Sequence, residues 1–251
     1  MRKTILEKLE AIEKIENVRI IHCVESGSRA WGFDSPDSDY DVRFVYVRPR
    51  DFYLRLDKTR DVIEWQLDDT LDINGWDVAK TLGLLHKSNP TVFEWNASPI
   101  VYKTTEDWQK ISSVTDGYFS SKSAMYHYLS IAKKNFKKYL GNEEVQLKKY
   151  FYMLRPVLAC RWIADRGTPP PIEFSSLMDH CLHESDVRED VLELLDLKIK
   201  TPEIGMGKPF ERINTFIEKE IMKTDEFLLS LPADKGKPWD ELNLIFRSLV
   251  N

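Results

Sequence analysis

A long polar loop between two short β-rich segments limits the fold of this chain more than any other feature. Val18 to Val24 (VRIIHCV) and Tyr40 to Val47 (YDVRFVYV) are rich in β-branched and aromatic residues, which predicts two strands. Between them, Glu25 to Asp39 is rich in glycine, serine, aspartate and proline, which is typical of a loop with room for one helical turn. The chain therefore begins as an α/β segment with short strands.

The rest of the first hundred residues continues this mixed pattern. Residues 1–16 carry isoleucine and leucine at three- and four-residue spacing, which predicts an amphipathic helix. Further short strands are predicted at Asp61 to Gln66 and Thr70 to Ile73, and a helix is predicted to start near Gly75 and to run to His86.

After Ser120 the sequence becomes helical in character. Helical patterns cover residues 121–140, 144–165, 186–198, 208–229 and 237–249. We therefore predict two domains, one at residues 1–110 that carries the strands and one at residues 111–251 that is all helical.

Two aspartates, Asp39 and Asp41, mark the start of the second predicted strand. Strand side chains alternate between faces, so residues two apart project from the same side, about 6–7 Å from each other along the strand. Carboxylates at this spacing suit Mg²⁺, which prefers oxygen ligands and keeps substrate phosphates in its coordination shell. An Asp-x-Asp pattern alone also fits a solvated strand end after a turn.

A Gly-Ser pair, Gly27 and Ser28, follows the first predicted strand. Glycine lets the backbone approach a ligand closely, free N–H groups at a helix start bind phosphate, and the serine hydroxyl adds a donor. Ten residues separate Ser28 from Asp39, which is enough chain to bring this bend beside the carboxylates. Taken by itself, the pair also fits an ordinary turn.

Together, Gly-Ser, some ten residues and Asp-hydrophobic-Asp-hydrophobic resemble the signature of the DNA polymerase β nucleotidyltransferase superfamily, although Ser26 stands where that signature has an apolar residue. The fuller string GSRAWG…SPDSDYDVRF, with residues 76–102 and 148–163, is similar to a narrower branch. That branch comprises predicted nucleotidyltransferases related to RNA-repair-associated polymerase-β-like proteins.

This resemblance implies an α+β protein with a nucleotidyltransferase core on a mixed, mainly antiparallel sheet, plus a C-terminal all-helical domain. It also implies that the chain moves a nucleoside monophosphate from a nucleoside triphosphate to an acceptor hydroxyl and releases pyrophosphate. The implied cofactor is Mg²⁺, with Mn²⁺ as an alternative.

The superfamily uses a third carboxylate on a later strand, and three acids flanked by apolar residues fit that description: Glu64, Asp72 and Asp77. We favour Asp72, because it lies on a short β-prone segment just before a helix, as the resemblance implies. Asp77 fits the first turn of that helix, where an acid complements the helix dipole. Glu64 fits a surface position on an edge strand.

Four cations are further candidates for contact with the nucleotide: Arg29, Arg43, Lys80 and Arg155. Arg43 shares a strand face with the aspartates, so it fits either a phosphate contact or an ion pair with them. Lys80 has the reach for a triphosphate, although an exposed helix lysine is the more common case. Arg155 directly precedes Pro156, which disturbs a helix, and this favours an inward-facing side chain near a phosphate.

Residues 131–161 form a basic and aromatic stretch in a chain whose formal charge is −5. Six lysines and two arginines stand against Glu143 and Glu144, with tyrosine and phenylalanine between them and Trp162 directly after the stretch. Such a mixture suits a surface that grips a polynucleotide backbone and stacks bases. The more common explanation is two amphipathic helices with solvated lysines and aromatic core faces.

Composition narrows the classes of function. A net charge of −5 argues against a protein that binds duplex nucleic acid mainly through phosphate contacts. Cys23, Cys160 and Cys181 lie far apart, which predicts reduced thiols in a cytoplasmic protein rather than a disulfide framework or a zinc site. No stretch approaches the roughly 20 apolar residues of a membrane span, so no membrane partner is expected.

The expected partners are a nucleoside triphosphate and an acceptor, for which the resemblance makes an RNA end the leading candidate. A protein hydroxyl, as in toxin–antitoxin nucleotidyltransferases, is the enzymatic alternative. A catalytically silent nucleotide-binding regulatory module is the non-enzymatic alternative, which the presence of Asp39, Asp41 and a candidate third acid disfavours. No oligomeric state is predicted.

Overall fold

A computed structural model describes residues 1–68, 70–139, 144–200, 205–232 and 236–251 of the chain. Contacts divide them into two compact units. We refer to Met1–Ala30, Asp39–Tyr118 and Gly236–Asn251 as the sheet unit, and to Trp31–Ser38 and Phe119–Lys235 as the helical unit.

The described strands are β1 (Arg19–Glu25), β2 (Tyr40–Val47), β3 (Val62–Asp68), β4 (Leu71–Asp77), β5 (Val101–Thr104), β6 (Val145–Gln146) and β7 (Met206–Gly207). The described helices are α1 (Arg2–Glu16), α2 (Gly27–Trp31), α3 (Arg50–Tyr53), α4 (Val78–His86), α5 (Pro90–Asn96), α6 (Glu106–Ser112), α7 (Ser121–Tyr139), α8 (Phe151–Arg166), α9 (Phe174–Cys181), α10 (Ser185–Lys200), α11 (Glu211–Ser230) and α12 (Asp240–Leu249). None of the described helices is long and apolar enough to cross a membrane.

The sheet unit is built on a five-stranded sheet, as far as the described residues go, with strand order β3-β4-β2-β1-β5. β2 and β4 run parallel, whereas the other neighbouring pairs are antiparallel. The predicted α+β class with a mixed, mainly antiparallel sheet is therefore confirmed. The parallel pair at the centre brings the first residues of β2 and β4 to the same end of the sheet.

One face of this sheet is apolar, and α1 packs against it. Ile5, Leu9 and Ile12 of α1 are at most 2% exposed, as their three- and four-residue spacing requires. They share a core with alternate residues of the strands, including Val42, Phe44, Tyr46, Leu71 and Ile73. On the opposite face of β2 and β4, the first residues are polar, namely Asp41, Arg43 and Asp72, whereas Val45 further along β2 is buried.

The helix predicted to start near Gly75 begins three residues later, at Val78, and ends at His86 as predicted. Gly75 belongs to β4 and lies opposite Phe44 of β2. A Cβ atom at Gly75 would come within 2.2 Å of the Phe44 ring, so the glycine makes room for a large core side chain. Its role is in packing rather than in starting a helix.

The helical unit has its own core, formed around α8 by residues such as Leu154, Leu158, Leu177 and Ile217. The predicted helices at 186–198 and 208–229 correspond to α10 and α11. The end of the predicted helix 121–140 lies outside the described residues, and α7 is described up to Tyr139.

The predicted helix at 144–165 is divided, and its first part is wrong. Residues 145 and 146 form β6, which pairs with β7, and a 3₁₀ turn, Leu147–Tyr150, leads into α8. This pairing with a segment sixty residues away overrides the local helical pattern. Pro156 lies inside α8, which continues to Arg166.

The boundary between the two units lies after Tyr118 rather than after residue 110, and two further segments differ from the predicted division. Residues 31–38 group with the helices, since the Phe33 ring lies 4.6 Å from that of Phe151 and 5.5 Å from that of Phe174. Residues 236–251 group with the sheet, where Phe246 of α12 meets Tyr53 edge-to-face at 5.1 Å. Both groupings depend on contacts between residues far apart in sequence.

Candidate active site

The bend at Gly27 and Ser28 is in direct contact with Asp41. Gly27 opens α2 with a φ of 60°, a left-handed conformation that favours glycine. A Cβ atom at this position would lie 1.9 Å from Asp41 Oδ2. Backbone pairing continues the contact, because the Ser26 N–H donates to the Asp41 carbonyl at 2.8 Å. Only glycine therefore lets the bend pack against this carboxylate.

Asp41 and Asp72 form a pair of carboxylates across the central strands. They are directly opposite each other in the parallel register of β2 and β4. Arg43 joins them, since its Nη2 lies 2.8 Å from Asp41 Oδ1 and 2.8 Å from Asp72 Oδ2. Its Nη1 also donates to the carbonyls of Val42 and Asp72, each at 3.1 Å. The two carboxylates thus lie within two hydrogen-bond lengths of each other, with a cation between them.

The Asp41 carboxyl group lies in an environment that resists ionisation. Burial raises its pKa, the Arg43 guanidinium opposes that rise, and the carboxylates of Asp72 and then Asp39 add to it. The side chain of Asp41 is 32% exposed and that of Asp72 is 48% exposed, so solutes can reach both. A positive charge added here would relieve the repulsion between the acids.

Asp39 stands just before β2, and its backbone is anchored by Arg29. The Arg29 Nε donates to the Asp39 carbonyl at 3.2 Å, and the guanidinium lies 3.8 Å from the centre of the Tyr40 ring. Ser28 is the second residue of α2 and is half-buried. The structure therefore brings five predicted residues to the region where β1 and α2 meet β2: Gly27, Ser28, Arg29, Asp39 and Asp41.

The alternatives for the third acid lie elsewhere. Buried and half-buried positions alternate along β4, which puts Asp77 on the opposite face from Asp72. Asp77 is 3% exposed and caps α4 by accepting from the Ala79 N–H at 2.8 Å, and it also accepts from the Tyr53 hydroxyl. Glu64 on β3 pairs with Arg60 at the surface.

Lys80 and Arg155 make other contacts. Lys80 lies on α4, beyond the end of β4, and its Nζ is 3.0 Å from Asp61 Oδ1. Arg155 is 3% exposed within the helical unit, with its guanidinium 4.9 Å from the centre of the Trp31 ring. The inward orientation predicted for Arg155 is observed, and phosphate binding by either residue stays a prediction.

Glu25 is a site residue that the sequence did not reveal. It is 1% exposed at the end of β1, and its Oε1 accepts from the Asp41 N–H at 2.7 Å. Its Oε2 accepts a hydrogen bond from the Tyr102 hydroxyl. The buried carboxyl group of Glu25 therefore holds the backbone of Asp41 in place at the start of β2. A glutamate beside a serine gives no sequence signal for such a contact.

Replacement of Glu25 by glutamine is expected to stabilise the chain relative to the wild type as the pH rises. Burial raises the pKa of Glu25 in the folded chain above its value in the unfolded chain. The protonated carboxyl group therefore contributes its full stability below the unfolded pKa, and this contribution is lost as the pH rises through the folded pKa. Glutamine keeps an acceptor for the Asp41 N–H and carries no charge. Thermal unfolding of both proteins between about pH 5 and pH 8 measures the difference, and a constant difference would contradict the raised pKa.

A control separates the charge of Glu25 from its hydrogen bonds. Glu25→Leu also removes the charge but leaves the buried N–H of Asp41 without its acceptor, so it is expected to be less stable than Glu25→Gln by about 1–3 kcal/mol at every pH.

No group of three histidine, cysteine, aspartate or glutamate side chains within the described residues is arranged to hold a metal ion. Asp41 and Asp72 nevertheless fit a divalent cation in their chemistry. Both offer carboxylate oxygens, and both already hold one positive charge, that of Arg43, between them. A bound cation would take the same oxygens as the guanidinium does, so Arg43 would have to give way.

The three cysteines are free and buried, in agreement with the predicted reduced thiols.

Comparison with known proteins gives a family. Residues 1–248 match RlaP, described as an RNA repair pathway DNA polymerase beta family. The chain is 42% identical over 254 residues to the uncharacterised protein YcgL of Bacillus subtilis (strain 168), and the match covers 100% of this chain and 96% of that protein.

Among solved structures, a nucleotidyltransferase-like protein from Exiguobacterium sibiricum 255-15 is similar over 88% of this chain and 73% of its own. Its sequence identity is 12% and the TM-score is 0.33.

Proposed function

We propose that this chain, which belongs to the RlaP family, moves a nucleoside monophosphate from a nucleoside triphosphate to an acceptor hydroxyl and releases pyrophosphate. Membership of a polymerase β family supports a nucleotidyltransferase activity. The single observation that carries the proposal is the contact of Gly27 with Asp41, which joins a bend suited to phosphate to a carboxylate that faces Asp72.

Asp39, Asp41 and Asp72 would hold Mg²⁺, with Mn²⁺ as an alternative. When bound, such an ion neutralises phosphate charge and lowers the pKa of a coordinated hydroxyl. The oxygen-only donor set supports this choice of metal.

The remaining roles belong to the side chains and backbone themselves. Gly27 and Ser28 would bind the triphosphate, because the left-handed bend exposes backbone without a Cβ and the hydroxyl adds a donor. Arg43, displaced from between the acids, would contact a phosphate oxygen. Asp72 is the more exposed of the paired acids and would accept the proton of the attacking hydroxyl. Catalysis of this kind consists mostly of positioning and charge neutralisation.

We propose an RNA end as the acceptor, in the cytoplasm, since the family is described as one of an RNA repair pathway. The test is incubation with each α-labelled nucleoside triphosphate, Mg²⁺ and a pool of RNA or of protein. Label that is released by ribonuclease and not by protease supports the RNA acceptor. Label that is released only by protease would replace RNA with a protein hydroxyl, and the absence of any transfer would contradict the proposed reaction.

Two asparagine variants of β4 are expected to behave differently. Asp72→Asn removes an acid beside Asp41 and is expected to lower the transfer rate by about 10²-fold or more, the usual size of a general acid–base contribution. Asp77→Asn keeps an amide oxygen that accepts from Ala79 and still caps α4, so near-normal transfer is expected. Initial rates of both variants measure this. Equal losses, or a loss confined to Asp77→Asn, would move the role of third acid away from Asp72.

A further inference from the structure

A run of alternating cations and aromatic rings lies on the helical unit. We call Lys138, Tyr139, Lys149, Tyr152, Trp31 and Arg155 the cation–aromatic strip. Lys149 joins its two tyrosines, with Nζ 5.3 Å from the centre of the Tyr139 ring and 4.8 Å from that of Tyr152. Lys138 adds a second ammonium 5.0 Å from the Tyr139 ring.

The inner end of the strip is anchored in the core. The Tyr152 ring meets the Trp31 ring edge-to-face at 5.9 Å, and the Arg155 guanidinium lies 4.9 Å from the centre of the Trp31 ring. Arg155 is 3% exposed, whereas Tyr152 is 43% exposed. The strip therefore has a buried end, at which the Trp31 ring contacts Arg155, and an outer end at Tyr152 that is open to a ligand.

The charge of this region is concentrated and largely uncompensated by nearby acids. Residues 131–161 contain eight cations and two acids in a chain whose net charge is −5. Lys133 pairs with Asp225, and Arg161 pairs with Glu184 and Glu220. In the part of the chain that the structure describes, the other lysines of this stretch form no ion pair with a carboxylate: Lys134, Lys137, Lys138, Lys148 and Lys149.

From this arrangement we infer that the cation–aromatic strip is a binding surface for single-stranded RNA. A base that stacks on Tyr152 has Lys149 within reach of its phosphate, and the next base meets Tyr139 beside Lys138. Exposed rings favour unpaired bases, because bases within a duplex already stack on each other. The inference rests on the proposed RNA acceptor for its biological role, while binding itself is measured without the reaction.

The test is fluorescence anisotropy with a labelled single-stranded RNA of about 15 nucleotides, a length suited to such surfaces, without triphosphate. The variant Lys149→Ser with Tyr152→Ala is expected to bind at least about tenfold more weakly, since one stacked base contributes about 1–3 kcal/mol. The matched control is Lys133→Ser with Tyr126→Ala on α7. It makes the same changes at a lysine that pairs with Asp225 and at a tyrosine that is 46% exposed.

The expected result is a loss in the strip variant, less than about threefold loss in the control, and wild-type affinity that falls steeply between about 50 and 200 mM salt. Equal losses in both variants would overturn the inference. So would duplex RNA that binds as tightly as the single strand, which indicates charge without stacking. Binding of polyglutamate in place of RNA would also overturn it and would indicate an acidic protein partner.

Two further measurements keep the outcomes distinct. The variant Asp39→Asn with Asp41→Asn is expected to keep RNA affinity, because neither residue belongs to the strip. If the wild-type protein binds RNA through the strip but transfers no label, that result would contradict only the proposed reaction. Unfolding temperatures of the strip and control variants are expected to match, because both changed tyrosines are exposed. A lower value for the strip variant is resolved by the milder Lys149→Gln, whose unchanged RNA affinity would overturn the inference.

Discussion

Transfer of label from an α-labelled nucleoside triphosphate is expected to fall by at least about 10³-fold when Asp39 and Asp41 are both replaced by asparagine. Loss of several kcal/mol of transition-state stabilisation produces a change of this size. Asparagine keeps the shape of each side chain but removes the charge that would hold a divalent cation. The unfolding temperature is expected to hold or rise, since burial and neighbouring acids already raise the pKa of Asp41.

The matched control for this double variant is Asp51→Asn with Asp57→Asn. Both acids are exposed in the same unit, and Asp57 pairs with Arg55. Exposed pairs contribute about 0–1 kcal/mol, so this control is expected to keep its transfer activity. Transfer that survives in the double variant of Asp39 and Asp41 would remove these residues from the reaction.

Gly27→Ala is expected to abolish detectable nucleotide binding and to lower transfer by about 10²-fold or more. The added Cβ would lie 1.9 Å from Asp41 Oδ2, so the bend or the carboxylate must move, and displacements of about 1 Å have effects of this size. The left-handed φ of 60° adds a backbone cost of about 1–3 kcal/mol. Calorimetric titration with a triphosphate and initial rates measure the two effects.

Gly167→Ala is the control for the backbone cost alone. Gly167 ends α8 with a φ of 65°, and a Cβ there would meet no atom within 4 Å. This variant is expected to lose a similar amount of stability and to keep both binding and transfer. If Gly27→Ala binds the triphosphate as the wild type does, the packing of the bend against Asp41 has no role in recognition.

The parts of the site that the sequence predicted are those set by local geometry. Alternation along a strand placed Asp41 and Arg43 on one face, and the ion pair between them confirms that geometry. The left-handed bend at Gly27 follows from the conformational freedom of glycine within a polar loop.

The features that were missed depend on contacts distant in sequence. The role of Glu25 rests on Tyr102, which is seventy-seven residues away in the chain. Residues 144–150 carry a helical pattern, but pairing of β6 with β7 and packing of Leu147 against Gly207 override it. No local pattern encodes such contacts.

Comparison of the α- and γ-labelled forms of one nucleoside triphosphate tests the central claim most directly. Attack on the α-phosphorus leaves the α-label on the acceptor and the γ-label in pyrophosphate, so the account predicts acceptor labelling with the first form alone. A γ-label on the acceptor would show transfer of the terminal phosphoryl or pyrophosphoryl group and would contradict the proposed reaction.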